Sequence, residues 1–71
     1  MAGALMALAR ERGPGKTFCP SEAARQLAQD WRPLMPEIRR LAGSLPLQAT
    51  QKGKIVDAET ASGPIRLGLI P

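Results

Sequence analysis

The hydrophobic period of this chain changes at Pro46. Before it, apolar residues recur three and four positions apart: Met1, Leu5, Leu8 and Ala9, then Ala23, Ala24, Leu27 and Ala28, then Ile38, Leu41, Ala42 and Leu45. After it, Ile65, Leu67 and Leu69 alternate with Arg66, Gly68 and Ile70. The first spacing gathers side chains on one stripe of a helix, the second on one face of a strand. Helices followed by strands make an α+β chain, and 71 residues leave room for a single domain.

Composition narrows the function classes. Phe18 and Trp31 are the only aromatic residues, so the core must be aliphatic, which suits short helices better than a β-sandwich. There is one cysteine, Cys19, and no histidine, which removes an internal disulfide, a Cys/His zinc site and any Ser-His or Cys-His pair. Asp30, Glu37, Asp57 and Glu59 lack the spacing of paired catalytic carboxylates or a calcium loop. The expectation is a binding module with no cofactor or metal, not an enzyme. A lone thiol suits a reducing cytoplasm. The apolar N-terminus lacks preceding basic residues and is too brief for a signal or membrane segment, so neither is expected. Ten Lys and Arg against six Asp and Glu give a net charge of +4, which favours polyanionic partners.

The breakers divide the helical part. Helix 1 is predicted over Ala2–Arg12, with Arg10 and Arg12 at its negative end and Gly13 taking a left-handed stop. The segment GPGKT at 13–17 resembles the end of a phosphate-binding loop. Such a loop requires glycine where Arg10 stands, a preceding strand and an immediate helix, so GPGKT reads as a turn. Helix 2 opens at CPSE, with Pro20 in the first helical position and Glu22 in the first turn. Pro33 and Pro36 cannot share one regular helix, and Pro36 disfavours helical angles at Met35. A short helical turn over Trp31–Leu34 is therefore predicted, with Pro36 opening helix 3. In the β region, Leu47–Thr50 has two possible partners: Ile55–Val56 across a tight Lys52-Gly53 turn, or Ile65–Ile70 across a longer arm. The stronger alternation of 65–70 favours the second.

Helix, extended stretch, helix, turn, helix, strand, loop, strand is the order of a winged helix-turn-helix: three helices and a small antiparallel hairpin, the wing. The segments GPGKTFCPSEAARQLA (13–28), WRPLMPEIRR (31–40), QKGKIVD (51–57) and GPIRL (63–67) together resemble a small bacterial family catalogued as a domain of unknown function. The resemblance covers most of the chain and implies a winged-helix fold, with CPSEAAR opening the second helix and PEIRR in the third. It implies no activity. Between Arg40 and Thr50 this chain is shorter than the family's pattern by about one helical turn.

In a helix-turn-helix, helix 3 enters the major groove of double-stranded DNA. Arg39 and Arg40 are the candidate groove contacts, because arginine forms bidentate bonds to guanine and to phosphate. Lys52 and Lys54 flank Gly53 at the wing tip and are candidate phosphate contacts. The plain alternatives are a solvated helix face for the arginines and edge-strand protection for the lysines. Arg25 on helix 2 and Lys16 before it are candidate backbone contacts. Trp31 is expected to anchor the core and Cys19 to be a small buried residue. The expected function is DNA binding, weak as a monomer and specific as a dimer. The alternative is a protein-interaction module in which the Ala-rich helix 2 and Met6 meet a protein partner. Neither a membrane nor a small-molecule site is expected.

Overall fold

The computed structural model describes residues 1–70. Helix α1 runs over Ala2–Arg12, the predicted span. Leu5, Leu8 and Ala9 are buried, but Met1 precedes the first turn and stands exposed. Gly13 closes α1 with φ 83° and ψ 172°, so the stop has positive φ with an extended ψ rather than the left-handed helical conformation expected. A turn follows at Pro14 and Gly15, as GPGKT predicts.

Helix α2 spans Pro20–Leu27. Glu22 Oε2 accepts the Cys19 N–H at 2.9 Å, and the Glu22 N–H returns to the Cys19 carbonyl at 2.9 Å, which satisfies donors at the helix start. Ala23 and Ala24 are fully buried, whereas Leu27, expected inward, is 43% exposed in the last turn. A turn of 3-10 helix, Arg32–Leu34, leads straight into α3, Met35–Ser44. Helix α3 thus begins one residue before Pro36. Met35 takes helical angles (φ −59°, ψ −44°) despite the following proline. It sits half-buried against the core beside Leu34, and that packing outweighs the steric preference.

The sheet has three antiparallel strands in the order β2-β1-β3, with β1 at Leu47–Gln51, β2 at Lys54–Val56 and β3 at Arg66–Leu69. The two pairings weighed from the sequence both occur. β1 is central: Ala49 stands opposite Val56 on β2 and opposite Leu67 on β3. The expected two-stranded hairpin is therefore a three-stranded sheet, because Lys52 (φ 53°) and Gly53 (φ 81°) make a tight turn that frees residues 57–65 as a separate arm.

Phe18 joins the helical and β parts. Its main chain exchanges two 2.8 Å hydrogen bonds with Leu67, and its side chain is fully buried with Leu5, Ile38 and Leu67. Each such side chain contributes roughly 1.5–3 kcal/mol by leaving water. Gly68 lets this approach happen: a Cβ there would meet the Lys16 carbonyl oxygen at 3.0 Å. No helix among the described residues is long and apolar enough to cross a membrane.

Candidate functional site

Strand alternation decides where the hairpin's side chains go. Ala49 is buried towards the helices, so its partner Val56 and the next pair, Gln51 and Lys54, share that face. Thr50 and Ile55 take the opposite face, where Ile55 is 73% exposed. The side of β1 and β2 that carries Lys54 is therefore the side on which α3 packs: Ala42 and Gly43 line a small space with Leu47, Ala49 and Val56.

The arm closes over this face. Gln51 Nε2 donates to the carbonyls of Ser62 and Pro64. Asp57 Oδ1 accepts the N–H of Glu59 at 2.8 Å and of Thr60 at 3.3 Å, forming the turn that starts the arm. Ala58 and Ile65 anchor its two ends in the core. Between the hairpin and the arm an open groove of about 500 Å³ is lined by Gln51, Lys52, Lys54, Val56, Ser62 and Pro64.

Arg39 of α3 fastens the arm. Its Nη2 donates to the carbonyls of Ala61 at 2.9 Å and Gly63 at 3.2 Å, and its Nε is buried without a partner. Helix-face arithmetic put Arg39 outward. In the fold it is only half-exposed and clasps the arm, so its guanidinium is already engaged. Arg40 is exposed on α3 and paired with Glu37, Nε to Oε2 at 3.1 Å and Nη2 to Oε1. That hydrogen bond holds the Glu37 carboxyl below its ordinary range and the Arg40 guanidinium above its own.

Lys52 and Lys54 are exposed, and neither is in an ion pair among the described residues. The remaining candidates lie elsewhere. Lys16 lines a small space with Thr17, Gln48 and Thr50, on the sheet face away from the helices. The Arg25 guanidinium lies 4.8 Å from the centre of the Trp31 ring. Thus Arg39, Lys52 and Lys54 gather around the arm, while Lys16 and Arg25 stand apart.

Gln51 and Ser62 also belong to the groove, and sequence reasoning left both out. The only signal for Gln51 was its place at the strand end before Lys52-Gly53. Trp31 is half-buried against the core rather than enclosed, and Cys19 is likewise half-buried, with Sγ 3.0 Å from Ser21 Oγ. No group of three or more His, Cys, Asp or Glu side chains that could hold a metal ion occurs among the described residues.

No curated protein matches the chain. The model of the family described as Protein of unknown function (DUF3253) matches residues 1–70, and the chain belongs to that family.

Proposed function

We propose that the chain is a winged-helix module that binds double-stranded DNA through its phosphate backbone, with the Lys52-Gly53-Lys54 tip as the principal contact. The order of three helices, the β1–β2 hairpin and the returning strand β3 supports the winged-helix reading, as does the short extended stretch at Phe18 beside β3. One observation carries the function. Lys52 and Lys54 are both exposed at a tight turn and in no ion pair among the described residues, with Lys54 on the sheet face shared with α3. A lysine without a carboxylate partner keeps its full charge for a phosphate, and releases counterions when it binds one. Arg40 adds a contact by exchanging Glu37 for phosphate. Arg39 serves the site by positioning the arm. The module is a binder and not an enzyme, and contacts of this kind position a duplex without reading its sequence.

The test is a titration of labelled duplex DNA followed by fluorescence anisotropy at low and moderate salt. Binding is expected to weaken as salt rises, and the Lys52→Gln/Lys54→Gln chain to show a log–log salt slope shallower by roughly 1.8, two phosphates' worth. No binding at low salt, or the same slope in both chains, would sink the proposal.

A second reading has one observation in its favour. Ile55 is 73% exposed on β2, an outer strand of the sheet, to whose edge an extended protein segment can add. The surface expected for a protein partner from the sequence is largely spent: Ala23 and Ala24 are buried and Met6 packs against the core.

A further inference from the structure

We infer that Arg25, Trp31 and Arg32 form a second phosphodiester-binding site, in which the tryptophan holds two guanidinium groups ready for the backbone of a nucleic acid. Trp31 is half-buried against the core, and that packing supports its ring as a platform. The Arg25 guanidinium carbon lies 4.8 Å from the ring centroid and that of Arg32 lies 4.9 Å from it. Arg25 comes from the last turn of α2, while Arg32 opens the 3-10 turn, which Pro33 stiffens.

The donors of both arginines are unspent. Among the described residues neither is in an ion pair, and neither donates a side-chain hydrogen bond, whereas Arg12, Arg39, Arg40 and Arg66 all do. Asp30, their neighbour in the chain, is not paired with either. A guanidinium stacked on an indole uses its flat face and leaves its in-plane N–H fork free, the geometry that grips a phosphate with two parallel bonds. Sharing one ring puts the two cationic carbons no more than roughly 10 Å apart, about one Debye length at 0.1 M salt, so an anion at either one also feels the other. The unspent groups at the ring are guanidinium N–H donors, so the contact is to the phosphate backbone. The identity of the ligand rests on the DNA reading above; the anion site itself rests on these three residues.

The chain has one tryptophan and no tyrosine, so intrinsic emission reports this site. Inorganic tripolyphosphate, a short mixed-sequence duplex and poly-glutamate are each titrated, at two or more matched ionic strengths, into three chains: the unmodified one, Arg25→Gln/Arg32→Gln and Lys52→Gln/Lys54→Gln. Circular dichroism confirms that each is folded. Expected is a saturable emission change with duplex in the unmodified and lysine-substituted chains and its loss in the arginine-substituted chain. The arginine-substituted chain is also expected to bind duplex several-fold more weakly, with a salt slope shallower by up to about 1.8. Three results would overturn the inference: no saturable change with duplex in the unmodified chain, an undiminished change in the arginine-substituted chain, or an equal change with poly-glutamate at the same charge concentration. A response to tripolyphosphate alone counts against the nucleic-acid ligand and for free polyphosphate. If the lysine-substituted chain matches the unmodified chain in both affinity and salt slope while the emission change persists, the hairpin reading fails and this site stands.

Discussion

Arg39 reaches from the second turn of α3 to the carbonyl of Ala61, 22 residues further along the chain, and closes a 2.9 Å hydrogen bond. Together with the bond to Gly63 it fastens the arm that forms one wall of the groove. Replacing it with methionine keeps much of the volume and removes the donors. Arg39→Met should destabilise the fold by about 1–3 kcal/mol and speed amide exchange at residues 61–64 beyond the global change. Unchanged exchange there, with a marked loss of DNA affinity, would instead make Arg39 a groove contact.

Glu22 ties α1 to α2. Its carboxyl sits below its ordinary value of 4.5, chiefly because it accepts the Cys19 N–H, with Arg12 adding a hydrogen bond and opposite charge. A carboxyl lowered in the folded state stabilises the fold above its unfolded value, and that contribution is lost as pH falls through the folded value. Stability measured by urea unfolding should therefore decline below about pH 4.5. Glu22→Gln should flatten that decline and lower neutral-pH stability by up to about 1 kcal/mol. Glu37, lowered by Arg40, acts in the same direction.

Two glycines should respond in opposite ways. A Cβ at Gly43, near the end of α3, meets nothing within 4 Å, so Gly43→Ala should stabilise by roughly 0.5–1 kcal/mol. At Gly68 a Cβ would lie 3.0 Å from the Lys16 carbonyl oxygen and 3.3 Å from Thr17 Cγ2, and backbone yields poorly. Gly68→Ala should cost about 1–3 kcal/mol and weaken protection of the Phe18 and Leu67 amides. Thermal unfolding and hydrogen exchange check both.

Lys52 holds positive φ at the hairpin turn, where asparagine is better suited. Lys52→Asn should raise stability by up to about 1 kcal/mol and yet weaken duplex binding, with a salt slope shallower by roughly 0.9. Stability and binding moving in opposite directions would separate the turn's two roles.

The local elements were legible where chain chemistry alone decides them. Gly13-Pro14 ended α1 and Pro20 opened α2 as expected. Met35 was misplaced because a steric preference before proline cannot register the packing of Leu34 and Met35. The sheet was half-read for a related reason. Alternation describes one strand at a time and does not reveal that β1 has two edges to fill, so two compatible pairings looked like alternatives. The clasping role of Arg39 was beyond sequence reasoning, because its partners are main-chain carbonyls of an arm with no periodicity of its own. Lys52 and Lys54 were legible because a Gly-containing turn between two short strands exposes its tip.

On this reading the hairpin lysines meet a duplex on the side shared with α3. Backbone amide shifts followed during titration with duplex DNA at low salt test it most directly. Shifts are expected at residues 52–54 and 40, beside those at 25, 31 and 32 from the second site, and all should fade as salt is added. Shifts confined to α1, or a spectrum unchanged by duplex at low salt, would contradict it.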